Sequence, residues 1–291
     1  MPEDIARHRA TLSGRIALVT GASRGAGAAI ARVLGEAGAT VYVTGRSSRG
    51  AGTTEGLPGT VEDAAEAVTA AGGRGIACRL DHTDAAAVEG LAGRIAAESG
   101  RLDLLVNNAW GGYEHHPGVE AFMRPFWEQP IEGWERMFGA GVRAHWLASR
   151  ACAPLLTAGA TAARPALVVS TVAWAFDAYL QNLLYDAAKA AIIRMSFGLA
   201  QELRPRHVAS LAVAPGWMRT ERVMQAHAES PFDLSPTESP AYLGRAIAAL
   251  AADPAAMAQT GRLATAGELA RRYGFTDEDG RQPEPFRIPA G

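Results

Sequence analysis

Residues 15–37 read RIALVTGASRGAGAAIARVLGEA. Arg15–Thr20 is a short apolar run of strand formers, and the stretch from about Gly25 to Ala37 is helical in pattern, with Gly38 as its stop signal. Between them, Gly21, Gly25 and Gly27 space out a turn that also holds Ser23, Arg24 and Ala26. A tight strand-to-helix turn needs permissive backbone. A diphosphate also needs to approach the N–H groups of the turn and the helix start without a Cβ in the way. Glycine patterns arise by accident in a chain with 32 glycines. The strand before and the helix after give this one its weight.

Outward from that turn the pattern alternates. Thr40–Thr44, Gly75–Leu80 and Leu102–Asn107 predict strands, and helices are predicted between them, one ending near Gly72-Gly73 and one over Asp84–Ser99. Further on, Ala166–Ser170 and Val208–Val213 predict strands, preceded by long helices over about Ile131–Cys152 and Leu184–Leu203; Arg262–Ala264 is a weaker strand signal. Strands separated by helices of this length make βαβ units, and near-continuous apolar strands are those buried on both faces. The expectation is an α/β fold: one Rossmann-type doubly wound domain over residues 1–291, with a parallel sheet of about seven strands and helices on both faces.

Composition sets the class. The chain has 291 residues, 48% hydrophobic and 20% charged, which excludes a disordered chain. Cys78 and Cys152 lack metal-type spacing and are too few for a disulfide scaffold. A net charge of −2 gives no global pull on nucleic acid or anionic lipid. The start has no apolar signal core and no run is long enough to span a membrane, so a soluble cytoplasmic protein is expected. Of the 28 basic residues, 27 are arginine; the one lysine is Lys189. Arginine and lysine differ where a compact ammonium with rotatable donors is needed, so position 189 stands out. All six tryptophans lie between residues 101 and 220. Trp110, Trp174 and Trp217 each follow the carboxyl end of a predicted strand, the edge where open α/β sheets bind ligands, and predict an apolar substrate pocket with flat walls.

Four motifs in register give a resemblance. Thr20 with the Gly21-x-x-x-Gly25-x-Gly27 spacing, Asn107-Asn108-Ala109 after the fourth strand, Tyr185-x-x-x-Lys189 at the start of a late helix, and Pro215-Gly216-x-x-x-Thr220 after the sixth strand resemble the short-chain dehydrogenase/reductase family. Leu269–Pro283 and the long segment after the fourth strand resemble its dehydrogenase/reductase family member 1 subgroup, so the resemblance covers nearly the whole chain. It implies a nicotinamide cofactor held by the glycine turn, with Asp81 at the adenine amino group and Asn108 and Ala109 along the cofactor's ribose. The segment Pro215, Gly216, Met218 and Thr220 is implied at the cofactor as well. It further implies Tyr185 as acid–base, with Lys189 binding the ribose hydroxyls. Residues four apart share a helix face, and an ammonium beside a phenol is expected to favour its phenolate.

The third member is a hydroxyl after the fifth strand. Counted from the strand, the family serine falls on Thr171, with one extra residue before Tyr185; Ser170 is its neighbour on the opposite face, and both are candidates. The family often has an asparagine whose carbonyl and water link hold the lysine. Alignment places Gly141 there, and glycine supplies no such side chain. His145, one turn on, is either a substitute or an ordinary helix residue.

The second strand ends Thr44-Gly45-Arg46 with no acid for ribose hydroxyls, while Arg46 and Arg24 suit a 2′-phosphate. NADP is therefore expected over NAD. Segments 111–130 and 221–240 are expected to overhang the pocket as substrate loops. The first carries Tyr113, His115, His116, Phe122, Phe126 and Trp127. Adjacent histidines without a carboxylate cage do not make a metal site, and none is expected. The resemblance implies a homodimer or homotetramer built on the two long helices; Leu184, Ala188, Ala191, Ile192 and Met195 at helical spacing allow this, and the same pattern fits packing on the sheet. The expected function is NADP-dependent hydride transfer to or from the carbonyl or secondary alcohol of an apolar small molecule. The alternative is a catalytically weak NADP-binding regulatory or scaffold protein on the same fold.

Overall fold

The computed structural model describes residues 11–114, 119–174 and 178–286. Seven strands form one sheet in the order β3-β2-β1-β4-β5-β6-β7: β1 (Ile16–Val19), β2 (Thr40–Gly45), β3 (Arg74–Arg79), β4 (Leu104–Asn107), β5 (Ala166–Thr171), β6 (Val208–Ala214) and β7 (Leu263–Thr265). All neighbouring pairs are parallel. β1 lies between β2 and β4. The winding reverses there, and a crevice opens at the carboxyl ends of the strands.

The longer helices are α1 (Gly25–Glu36), α2 (Val61–Ala70), α3 (Ala85–Ser99), α4 (Ala144–Gly159), α5 (Leu183–Leu203), α6 (Glu221–Glu229), α7 (Pro240–Ala252) and α8 (Ala266–Tyr273). Successive strand side chains point to opposite faces, so the sheet carries two cores. Val19, Val43, Val106 and Val169 pack with Leu34, Val68, Leu243 and Ile247 of α1, α2 and α7. On the other face Leu18, Tyr42, Leu105 and Val168 pack with Leu91, Ile95, Leu147 and Leu156 of α3 and α4. Every residue of β6 is buried, which is why it reads as an unbroken apolar run. Thr60 and Asp63 form a capping box on α2, and α3 stops at Gly100, whose φ of 69° suits glycine.

Two expectations about the second half need correction. The helix expected to end at Cys152 continues past Pro154 to Gly159, and it is entered through a π-helical stretch, Glu135–Arg143. The segment after Glu221, read as irregular, begins with α6, whose N-cap is Thr220: its side chain accepts from the Val223 N–H. His115 and His116 lie outside the described residues. Among the described residues no helix is long and apolar enough to cross a membrane, and no three His, Cys, Asp or Glu side chains gather as a metal cage.

Candidate active site

The carboxyl ends of β1, β2, β4, β5 and β6 open into a cleft of about 670 Å³. Its floor is the glycine turn. Gly21 and Gly25 have φ of 63° and 56°. A Cβ at Gly27 would lie 2.3 Å from the Gly21 carbonyl oxygen and 2.6 Å from Asn108 Nδ2, so α1 starts against the turn only because position 27 is bare. Asn108 fixes this contact by donating from Nδ2 to the carbonyls of Thr20 (3.1 Å) and Gly21 (3.0 Å). Thr20 Oγ1 in turn accepts from the backbone N–H groups of Asn108 (2.8 Å) and Ala109 (3.0 Å). The Gly25 N–H donates to Glu221 Oε1 at 3.1 Å. A carboxylate thus rests on the N-terminus of α1, where the aligned N–H groups favour an anion. The cradle therefore fits a diphosphate in shape and in polarity.

At the β2 end of the cleft, Arg24 donates to the Thr54 carbonyl (2.9 Å) and to Thr54 Oγ1 (3.0 Å), with Ser47 Oγ also in contact. Arg46 forms an ion pair with Glu114 of the segment after β4. That partner keeps the guanidinium firmly charged, its pKa raised chiefly by the hydrogen bond to Glu114. Asp81 accepts from Thr83 N (2.9 Å) and Oγ1 (2.8 Å). Burial raises its pKa, but these bonds and the charge of Arg46 outweigh it and hold the carboxylate below its usual range. His82, buried next to Asp81, shares a 2.7 Å hydrogen bond between Nε2 and Thr44 Oγ1, and burial pushes its pKa down to about 4.

Tyr185 and Lys189 lie in the first two turns of α5. Asn182 caps that helix, its side chain accepting from the Tyr185 N–H at 3.0 Å. Tyr185 is buried, and its hydroxyl accepts from the Tyr113 hydroxyl at 2.8 Å. Its ring meets Trp110 and Phe122 edge to face, with centroids 5.4 and 5.3 Å apart. Lys189 is buried too, with Nζ 3.4 Å from the centre of the Trp110 ring and 5.2 Å from that of Tyr185. Burial moves both pKa values against the charged forms. Burial, then Tyr113, holds Tyr185 well above the usual phenol range, and burial takes Lys189 down to about 7. The expected lowering of the phenol by its lysine is thus overridden by desolvation. Near neutral pH the phenol carries its proton, the form that donates to a carbonyl oxygen.

The candidate hydroxyls separate. Thr171 lines the cleft, donating from Oγ1 to Asn108 Oδ1 at 3.2 Å. Ser170 is fully buried away from the cleft, and its Oγ has no partner among the described residues. Pro215, Gly216, Met218 and Thr220 line the far wall. Trp174 and Trp217 are also in that lining, the latter stacked on Phe232 at 4.8 Å. Trp110 also lines the cleft, with its ring packed on Gly141 and beneath Lys189. His145 is buried, with Nε2 3.2 Å from the Ala109 carbonyl; burial, then Lys189, pushes its pKa down to about 3. Of the expected loop walls, Tyr113, Phe122, Glu221, Arg222 and Val223 line the cleft, whereas Phe126 and Trp127 are exposed away from it. Sequence reasoning placed Tyr113 only as a loop aromatic and missed Glu114 and Glu221. Each of these three acts through a contact distant in sequence, so no local pattern marks it.

The short chain dehydrogenase family profile matches residues 15–231. Dehydrogenase/reductase SDR family member 1 of Mus musculus is 34% identical over 293 aligned residues, covering 95% of this chain and 87% of the mouse protein. A solved short chain dehydrogenase from Mycobacterium thermoresistibile, 23% identical, superposes with a TM-score of 0.78 over 96% of this chain and 99% of that one, a likeness of fold. Pseudomonas aeruginosa RhlG, solved as an active-site complex with NADP, is 29% identical with a TM-score of 0.73, over 89% of this chain and 96% of RhlG.

Proposed function

The chain belongs to the short-chain dehydrogenase/reductase family, and on that premise we propose that it moves a hydride between NADP and the carbonyl or secondary alcohol of an apolar small molecule. The observation that carries this reading is the shared cleft. The Tyr185 hydroxyl, the Lys189 ammonium and the glycine turn all face one space at the sheet's carboxyl edge.

In this reading the glycine turn and the start of α1 hold the diphosphate, while Asn108 and Ala109 flank the ribose and Asp81 meets the adenine. Arg24 and Arg46 supply guanidinium forks for a 2′-phosphate, and the absence of an acid at the end of β2 removes the competitor that would favour NAD. The RhlG complex with NADP is consistent with this choice. The cofactor supplies the hydride when bound. Tyr185 gives its phenolic proton to the substrate oxygen as the carbonyl carbon accepts the hydride pair, and takes a proton back in the alcohol direction. Lys189 stabilises the phenolate left on Tyr185 when the proton departs, and would reach the ribose hydroxyls. Thr171 is placed to polarise the carbonyl once its hydroxyl turns from Asn108. Trp174, Trp217 and Phe122 give the substrate space its apolar walls and keep water from the transfer.

Assembly is part of the same proposal. Trp146 on α4 and Leu183 and Phe197 on α5 are exposed large apolar side chains, a surface suited to a homodimer or homotetramer. The test of function is a panel of aliphatic and aromatic ketones and aldehydes with NADPH, followed by loss of nicotinamide absorbance. Turnover is expected with apolar carbonyls. Tyr185→Phe should abolish it while leaving NADPH binding nearly intact. An inert panel together with tight NADPH binding would favour the regulatory or scaffold reading.

A further inference from the structure

Two residues far apart in sequence share one volume. A Cβ built on Gly141 would lie 2.5 and 2.7 Å from two carbons of the Trp110 six-membered ring, and one built on Gly112 would lie 2.5 Å from a third. The indole therefore lies against two bare positions, one in the π-helical stretch and one in its own loop. The family that this chain resembles often carries asparagine at the position aligned with 141. Here that position is glycine, and the Trp110 ring fills the space beside it.

The indole face points at the chain's one lysine. Nζ of Lys189 lies 3.4 Å from the ring centre, well inside the range of a cation–π contact. Among the described residues no hydrogen bond engages that nitrogen. The same indole meets the Tyr185 ring edge-on at 88°. The other titratable groups around the ammonium are Tyr185 itself on α5, Tyr113 after β4 and His145 on α4. None of these is an anion at neutral pH, given the directions described above.

We propose that Trp110 is the positioning residue for Lys189, its indole face seating the ammonium in place of a side-chain carbonyl at position 141. A π face attracts a cation without capturing a particular N–H. The three donors stay available to oxygens that enter the cleft, which Lys189 lines. A planar guanidinium would present a different shape and a different donor pattern. The seat explains why Gly141 and Trp110 occur together. The catalytic meaning of the seat rests on the function proposed above; the seat itself does not.

The sole lysine makes the test selective. Protein grown with [13Cε]-lysine gives one lysine methylene signal. In the unmodified chain that signal should be displaced upfield by the indole ring current and should titrate near pH 7. Trp110→Phe keeps a π face and should retain the upfield displacement and the midpoint. Trp110→Leu removes the face at similar depth and should lose the displacement, its midpoint falling by about one unit as desolvation acts unopposed. In turnover, kcat should fall in Trp110→Leu with KM little changed, and be largely restored in Trp110→Phe. A methylene signal at the ordinary position in the unmodified chain, or equal midpoints in the two variants, would overturn the proposal. If no carbonyl substrate is ever turned over, the proposed function fails, and the spectra alone still decide the seat.

Discussion

Replacing Glu221 by glutamine should make the protein bind NADPH more tightly. In the structure the Glu221 carboxylate takes the N–H of Gly25 at 3.1 Å and so rests where the diphosphate is proposed to sit. No acidic residue lies in the first turn of α1, so this carboxylate supplies the negative charge at that terminus. An exposed anion at a helix start gains about 0.3–1 kcal/mol. A hydrogen bond to a charged group adds to that, discounted here because the side chain is exposed. About 1 kcal/mol must be given up before a diphosphate can enter. Glu221→Gln weakens the competitor and removes its repulsion of the incoming phosphates, so Kd should fall about fivefold. Quenching of tryptophan fluorescence or calorimetry would measure it, and the gain should shrink in high salt. A Kd that is unchanged or weaker in the variant would refute the claim that this carboxylate occupies the anion site.

Other perturbations read other parts of the site. Arg46→Ala should weaken NADPH binding about tenfold and leave NADH binding nearly unchanged, as one charge-assisted fork to a 2′-phosphate is lost; equal losses for both cofactors would contradict the assigned role. Tyr113→Phe removes the neighbouring phenol whose charge, once ionised, opposes a phenolate at Tyr185. The alkaline limb of the kcat profile should then move to lower pH, and an unmoved limb would show that the two hydroxyls do not interact in the working enzyme. Acid should destabilise the fold through His82 and His145, whose pKa values burial lowers to about 4 and about 3. Below an unfolded value of about 6.5 the unfolded chain takes up protons that the folded chain refuses, so stability is lost as pH falls. Between pH 6.5 and 4.5 the two together cost about 4 kcal/mol. Urea midpoints should drop across that window; a flat profile would contradict the neutral buried imidazoles.

Much of this architecture could be read one-dimensionally because its determinants are local. β1, β2, β5 and β6 are buried on both faces, so each appears as an apolar run whose ends fall within a residue or two of the observed strand. The glycine turn and the Tyr185–Lys189 spacing are likewise short-range patterns. The departures come from contacts across the chain. Thr220 was assigned to the cofactor by its motif, and its side chain also caps α6, which is why a segment of weak apolar pattern is helical. The helix expected to stop at Cys152 runs on through Pro154 because Leu155 and Leu156 are buried in the core beneath it. Trp110 packs on Gly141, and only the folded chain brings that hollow under the indole. Thr171 and Ser170, adjacent in sequence, fall on opposite faces of β5, and only the sheet's placement tells which one meets the cleft.

The central claim is that hydride reaches a substrate carbon while Tyr185 protonates its oxygen. Reduction of a ketone with NADPH carrying deuterium at the transferable C4 position, read by mass spectrometry, tests it most directly. The account predicts one deuterium on the former carbonyl carbon of each alcohol formed, and no such product from Tyr185→Phe. Product without the label, or labelled product formed by Tyr185→Phe at an undiminished rate, would contradict it.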